Sequence, residues 1–410
     1  MKNLKENHQG FSTVLAFALI PLSGFATDIY LPALPAMAKD LQVSASAIQL
    51  SLVLFMFSIG VSQLFIGSIL DSFGRFKIST FALALFSLTS FAIATTDNIH
   101  VIYVMRIIQG ITIALIVVGK RAYFVDLYSG TKLKHYVSLF AIIWACAPIM
   151  APFLGGYLQS LFGWRANFYF LGVLSLIFLV LELIYSGESL KYFHPFKVRS
   201  IAETYGKMLK TPDFMFGLGV LGVCFGLVVV YSLSSPFIIE RVFGYSAVVT
   251  GYSSLLSGLS LMVGGIIAKS LINVPLARKV TAALVFQLGT VLLMISSSAF
   301  VGNLYTLIGF TICIHLCGGF IFNIIYGYCL GRFSKHAGMA SGFTGGAMYM
   351  VSSVFSYGIA NLFAVKSQTL LGIANLALVV LLIILFVVFN RFRKRRIVED
   401  VNLQNISVAN

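Results

Sequence analysis

The segment Gly67-Ser-Ile-Leu-Asp71-Ser-Phe-Gly74-Arg75-Phe-Lys77 places a charged turn between two long apolar stretches. Neither flank alternates polar and apolar faces as a surface helix of a soluble protein does. Two membrane-spanning helices joined by a very short cytoplasmic loop fit the pattern, with Asp71 at a helix end and Gly74 permitting the turn. Arg75 and Lys77 are expected to anchor in the headgroup layer and to pair with acidic helix ends. We predict that these residues form a cytoplasmic gate.

The composition of the chain indicates a polytopic membrane protein. Its 410 residues are 59% hydrophobic and only 10% charged, with a mean hydropathy of +0.96, whereas about a quarter of the residues in soluble domains are charged. All five cysteines lie in apolar stretches, which favours small core residues over metal ligands. We therefore predict no metal site and no cofactor.

Twelve apolar stretches are long enough to cross a membrane, which takes roughly 20 residues. The longest internal polar segment, 187–213, is predicted to be a cytoplasmic loop between six spans and six more. The predicted fold is an all-α membrane protein with twelve transmembrane helices in two six-helix bundles, 1–186 and 214–410, the second ending in a basic tail. A substrate site near the midplane between the halves is expected for such a layout. The predicted spans are 11–34, 46–69, 78–96, 99–119, 136–161, 167–186, 214–239, 247–268, 280–300, 302–330, 338–364 and 368–390.

The distribution of basic residues predicts the orientation. The loops on one side and both tails hold 23 of the 28 Lys and Arg residues, and positive loops stay cytoplasmic. Both termini are therefore predicted to lie in the cytoplasm. The net charge of +15 is explained by topology and by anionic lipid headgroups at 391–396, so no nucleic-acid partner is expected.

Asp28 and Arg106 are the ionisable residues deepest within predicted spans. At 1.5 Å per residue, both lie about 9–10 Å from the outer boundary, on helices that run in opposite directions. Ionisable groups inside a bilayer are costly and generally functional. The pair is a candidate proton-coupling site. A structural ion pair that locks the two helices is the alternative, and equal depth leaves open whether the side chains touch.

The fifth predicted span contains two prolines and a glycine pair. Pro148 and Pro152 are expected to kink the helix, while Gly155 and Gly156 allow a neighbouring helix to pack closely. Such a helix could seal a leak between the halves. A bent helix with a purely structural role explains the same spacing.

Polar and aromatic side chains within the spans are candidates for lining a substrate cavity, because aromatic and amide groups suit the recognition of flat organic molecules. For His315 the alternatives are a proton relay and a hydrogen-bonded packing residue. The candidates are Tyr30, Gln109, Tyr231, His315, Asn323 and Tyr326.

Several of these stretches resemble known signatures. The segment 67–77 resembles the loop 2–3 signature of the major facilitator superfamily, with Ser72 where a basic residue is usual. The stretch Ala-Thr-Asp-Ile-Tyr-Leu-Pro-Ala-Leu-Pro at 26–35 closely resembles the first-span signature of its Bcr/CflA subfamily of drug/proton antiporters. Further similar segments are 106–110, 147–156 (with Ala147 and Ala151 where glycines are usual), 163–168 and 234–237.

The resemblance implies a proton-coupled exporter of drugs or related small organic compounds in the inner membrane. Its expected partners are a small-molecule substrate, protons and the lipid bilayer, and it is expected to be a monomer. A dedicated siderophore or natural-product exporter and a proton-coupled importer of the same fold remain alternatives, as does a membrane sensor that binds ligand without moving it.

Sequence motifs argue against ATP drive and against an enzyme. The chain contains no Gly-x-x-x-x-Gly-Lys-[Ser/Thr] segment, the loop that cradles nucleotide phosphates. It also lacks His-Glu-x-x-His and Gly-x-Ser-x-Gly, which mark metalloproteases and serine hydrolases.

Overall fold

The structure is a computed structural model that describes residues 4–190, 192–193, 198–298, 300–333 and 337–409. Each of the twelve predicted spans coincides with a helical segment. Ten helical segments in the described part of the chain are long and apolar enough to cross a membrane. Two more long helices, Gly130–Phe162 and Ala337–Leu362, cover the fifth and eleventh predicted spans. The all-α membrane fold is therefore confirmed.

The first predicted span is interrupted, which the apolar pattern alone did not indicate. The structure divides it into α1 (Gln9–Leu19), α2 (Leu22–Asp28), a 3-10 turn (Leu31–Ala33) and α3 (Leu34–Asp40). Pro21 precedes α2, and Pro32 and Pro35 lie at the starts of the next two elements. Proline lacks an amide hydrogen and clashes with the preceding turn, so each break occurs at a proline.

The other helices of the N-terminal half are continuous. They are α4 (Ala45–Phe73), α5 (Arg75–Thr95), α6 (Ile99–Leu127), α7 (Gly130–Phe162) and α8 (Arg165–Tyr185). The C-terminal half contains α10 (Pro212–Phe237), α11 (Ala247–Ser270), α12 (Leu276–Ser298), α13 (Leu304–Arg332), α14 (Ala337–Leu362) and α15 (Gln368–Ala409). Each half has its own apolar core.

The segment 187–213, predicted to be a loop, contains a further helix, α9 (Val198–Leu209). Its Tyr205 hydroxyl donates a hydrogen bond of 2.7 Å to the carbonyl of Leu64 in α4, and its ring contacts that of Phe343 in α14. Burial raises the pKa of Tyr205 to about 12, so the phenol stays protonated and remains a donor at physiological pH. Helix α9 therefore contacts both halves.

The halves meet along two helix pairs, α4 with α14 and α7 with α11. A Cβ atom at Gly60 would lie 2.7 Å from the carbonyl oxygen of Gly346, and one at Gly346 would lie 2.6 Å from that of Gly60. In the second pair, a Cβ atom at Gly251 would lie 2.7 Å from the carbonyl oxygen of Pro152. Backbones approach this closely only where side chains are absent, as at small-residue contacts between membrane helices.

Candidate functional site

Asp28 is the last residue of α2, immediately before the turn that interrupts the first span. The residue is partly exposed, and its side chain makes no hydrogen bond or ion pair with any residue that the structure describes. It lies within electrostatic range of Arg106 in its own half and of Tyr349 on α14 in the other. Asp28 thus lies at the boundary between the halves, with its carboxyl group free of a fixed partner among the described residues.

Arg106 on α6 is fully buried, with 0% of its surface exposed. Its Nη1 donates to the carbonyl of Ala26, at 3.1 Å, and to Oε1 of Gln109, at 2.9 Å. Its guanidinium carbon lies 4.1 Å from the ring centroid of Phe55 and 4.4 Å from that of Tyr30. These distances are typical of cation–π contacts. The arginine is held by backbone, amide and aromatic groups.

Asp28 and Arg106 therefore do not form the direct ion pair that was one alternative for them. Arg106 instead contacts the backbone two residues before Asp28, and its Nε and Nη2 atoms have no hydrogen-bond partner among the described residues. A buried charge without a full set of partners is costly. Such a charge in a membrane helix is expected where function requires it.

Most of the predicted cavity residues are buried in the packed halves in this structure. Tyr30, Gln109, Tyr231 and His315 each have 2% or less of their surface exposed, so in this conformation they are packed and line no open cavity. Tyr30 packs on Arg106. Gln109 accepts a hydrogen bond from Arg106, and its Nε2 donates one to the Ser90 hydroxyl at 2.8 Å.

His315 and Tyr231 belong to a polar cluster inside the C-terminal half. His315 Nδ1 lies 2.6 Å from the Ser257 hydroxyl, and its ring meets that of Tyr231 edge to face, at 5.3 Å between centroids. The Tyr231 hydroxyl is hydrogen-bonded to Ser253. These contacts join α10, α11 and α13 and favour the packing alternative for His315.

The last two cavity candidates, both on α13, differ in position. The Asn323 amide donates to the carbonyl of Gly319 in its own helix at 2.9 Å and lies against Gly265 of α11, so it does not face the other half. Tyr326 is partly exposed and stacks on Phe322 with 5.5 Å between centroids. Phe322 contacts the cores of both halves. Tyr326 is therefore the candidate that lies next to the boundary.

Helix α7 packs between the first span and α11. Pro148 and Pro152 lie within it. A Cβ atom at Gly155 would lie 1.6 Å from the carbonyl oxygen of Ile29, and one at Gly156 would lie 2.6 Å from that of Ala247. The glycine pair thus lets one helix approach two others, and Gly155 contacts the residue that follows Asp28.

The halves are also joined at the ends that the charge pattern predicts to be outer. Gln49 Nε2 of α4 donates to the carbonyl of Leu233 in α10 at 2.7 Å. Arg241, just after α10, donates to the carbonyl of Pro35 in α3 at 3.2 Å. The structure is a conformation closed on the predicted outer side.

Arg75 is the centre of a charge cluster at the opposite end of the N-terminal half. Its guanidinium contacts Asp71 at 3.0 Å and Asp126 at 2.5 Å. The Glu188 carboxylate accepts hydrogen bonds from the backbone amides of Arg75 and Phe76, at 3.0 and 3.1 Å. We call Asp71, Arg75, Asp126 and Glu188 the cytoplasmic charge cluster. Three of them lie in the N-terminal half and Glu188 lies just after α8, in the segment 187–213, so the cluster joins helices of one half and does not bridge the halves.

The other three predicted gate residues have unequal surroundings. Gly74 adopts a φ of 91°, and a Cβ atom there would lie 2.6 Å from Glu188 Oε2, so a side chain is excluded. A Cβ atom at Gly67 would have no heavy atom within 4 Å. Lys77 is exposed and makes no ion pair with the described residues. The structure thus does not join Gly67 and Lys77 to the cluster.

Sequence reasoning missed two acidic partners. Glu188 was not singled out, because its contact with Arg75 joins residues 113 positions apart. The second acid is Glu182, which is fully buried and pairs with Lys120 at 2.5 Å. The positions of both acids at the inner end of the sixth span were visible in the sequence. Their partners depended on how the helices pack.

Comparisons with known proteins agree with this architecture. The sequence model described as the Major Facilitator Superfamily matches residues 16–357. The chain is 28% identical over 226 residues to the bicyclomycin resistance protein homolog of Haemophilus influenzae, covering 54% of this chain and 57% of that protein. It is 25% identical over 382 residues to the multidrug resistance protein MdtL of Salmonella paratyphi C, covering 92% and 95%.

A solved structure shows the same fold. The crystal structure of a D-xylose-proton symporter matches with a TM-score of 0.66 at 14% identity, covering 90% of this chain and 96% of that one. At this identity the likeness establishes the fold alone. In sequence, the chain spans just over half the length of some curated relatives that it matches.

Proposed function

Because the chain belongs to the Major Facilitator Superfamily, whose members are transporters, we propose that it is a proton-coupled exporter of drugs or related small organic compounds. In this proposal it works in the inner membrane, with both termini in the cytoplasm and as a monomer, by alternating access between its halves. The names of relatives such as the multidrug resistance protein MdtL support this class of cargo.

The observation that carries the proposal is the environment of Asp28. The residue is partly exposed at the boundary between the halves, and its carboxyl group has no fixed partner among the described residues. A group that must bind and release a proton in every cycle needs such access, whereas a structural ion pair would hold it fixed. The charge of Arg106 lies within electrostatic range of this carboxyl group, so its protonation is linked to what else occupies the site.

The proposed cycle begins with the outer side open. A proton enters from outside and binds Asp28, which releases cargo from the cavity between the halves. The halves then rock, and the contacts of Gln49 and Arg241 join the halves at the predicted outer end. Release of the proton to the cytoplasm leaves Asp28 ready for the next cargo molecule. The cycle uses the boundary position of Asp28, because a group there can face either side in turn.

Proton release upon cargo binding tests this proposal directly. Purified full-length protein in weakly buffered detergent solution should release protons when a transported compound is added. Asp28→Asn should bind the compound without releasing protons, because an amide has no proton to give in this pH range. Equal release from both proteins would assign the coupling to another residue.

A susceptibility panel identifies the cargo class. Expression of the wild-type chain in a host without its own efflux pumps should confer resistance to several unrelated compounds, and Asp28→Asn should abolish it. Resistance to a single compound would favour a dedicated exporter. Counterflow in proteoliposomes distinguishes a transporter from a sensor, because a sensor binds ligand without producing flux.

A further inference from the structure

The surface of the C-terminal half contains a crevice that lies away from the boundary between the halves and away from the cytoplasmic charge cluster. It has a volume of about 350 Å³ and lies between the start of α12, the end of α11 and the middle of α13. Pockets that hold small organic molecules begin at roughly 300 Å³. The lining includes Arg278, Lys279, Ala282, Phe286, Cys317 and Phe320.

The chemistry of the crevice changes along its length. Arg278 and Lys279 lie at one end, in the first turn of α12, and the deeper lining is apolar. Along α12 the lining runs from Arg278 to Phe286, eight residues or about 12 Å along the helix. One leaflet is half of the roughly 30 Å thickness of the hydrocarbon core. The crevice therefore fits within one leaflet.

The two cations lack acidic partners. Arg278 makes no hydrogen bond or ion pair with the residues described, and Lys279 Nζ donates only to the carbonyl of Leu271, at 3.0 Å. The first turn of α12 contains no acidic residue. Cations at a helix N-terminus oppose the helix dipole, so this arrangement favours an external anion.

We infer that the crevice binds one anionic phospholipid of the cytoplasmic leaflet. Its phosphate contacts Arg278 and Lys279 together with the free amides at the start of α12, and one acyl chain lies along Ala282 and Phe286 towards Phe320. A crevice on a membrane-facing surface is filled by lipid in any case, and the basic pair selects the headgroup. Basic pockets between membrane helices on the cytoplasmic side bind such headgroups.

Competition between two lipids measures the selectivity. The full-length protein is equilibrated with equimolar phosphatidylglycerol and phosphatidylethanolamine, and the retained lipid is identified by native mass spectrometry. Two cations near the membrane surface predict a preference of about 30-fold for phosphatidylglycerol. Arg278→Gln together with Lys279→Gln should remove it. Lys207→Gln with Lys210→Gln, which removes the same charge from exposed positions in and just after α9, should retain it.

A second variant distinguishes binding in the crevice from attraction to the two cations alone. Ala282→Phe fills the crevice and leaves both cations in place, so it should also lose the retained phosphatidylglycerol. Inorganic phosphate in large excess should not displace the lipid, because phosphate lacks the acyl chain. Equal retention of both lipids by the wild type, or unchanged preference in either crevice variant, would overturn the inference. Unaltered thermal unfolding confirms that the variants are folded.

Discussion

Arg106 illustrates what a single residue contributes to the site. Its guanidinium donates to Ala26 and Gln109 and lies over the rings of Phe55 and Tyr30. A lysine would keep the charge but lose the planar donors and most of the stacking. We expect Arg106→Lys to insert normally and to lower the transport rate about tenfold or more, since a desolvated cation–π contact contributes about 2 kcal/mol. Transport assays in proteoliposomes measure this, and full activity would show that only the charge matters.

Gly67 and Gly74, both in the segment 67–77, allow a matched comparison of how an added side chain affects stability. Gly74→Ala places a side chain at a φ of 91° and against Glu188, so we expect it to destabilise the protein by about 1–3 kcal/mol. Gly67→Ala meets no atom within 4 Å and should be neutral or stabilising by up to about 1 kcal/mol, since alanine favours helix. Thermal unfolding in detergent compares them. An equal loss of stability in both variants would contradict this, because the local backbone geometry of the two glycines would then not determine the effect of a side chain.

At the scale of helices, Gly155 links α7 to the segment that carries Asp28. A Cβ atom there would lie 1.6 Å from the Ile29 carbonyl oxygen, so Gly155→Ala must displace either α7 or the backbone beside Asp28. We expect transport to fall severely while membrane insertion persists. Gly309→Ala on α13, where no atom lies within 4 Å, is the control. Normal transport by Gly155→Ala would mean that the close approach has no role in the cycle.

The sequence predicts helices better than it predicts which way their side chains face. Span positions follow from apolar length and composition, and all twelve coincide with helical segments. A helix that is apolar on all sides has no polar face to indicate its rotation. Tyr30, Gln109, Tyr231 and His315 were therefore expected in a cavity, although packing buries them. The breaks at Pro21 and Pro32 can be predicted from the sequence, because proline interrupts a helix. The contact between Glu188 and Arg75 cannot, because it depends on how the helices pack.

At the scale of the whole molecule, the charge asymmetry predicts topology. Lys and Arg residues concentrate in one set of loops and in both tails, so residue 200 and the C-terminus should be cytoplasmic. Reporter fusions at Ser200 and after Asn410 should be active only with reporters that work in the cytoplasm. A periplasmic signal at either position would contradict the arrangement of twelve spans with both ends inside.

The contacts at the predicted outer end should control how often that side opens. Gln49→Ala combined with Arg241→Ala removes two hydrogen bonds between the halves, each contributing about 1 kcal/mol. The outward-open population should therefore rise by up to about 30-fold.

Leu233 can report this opening, because it belongs to α10 but is buried in the core of the N-terminal half. In a background without native cysteines, Leu233→Cys should react slowly with a maleimide supplied from outside, and faster in the double variant. Asn361→Ala is the control, since that amide bonds only within its own helix, to Tyr357. An unchanged labelling rate in the double variant would mean that apolar packing alone closes the outer side. Faster labelling would show that two side-chain contacts with backbone carbonyls set the balance between the two conformations, because only the population that opens outward exposes Leu233 to the reagent.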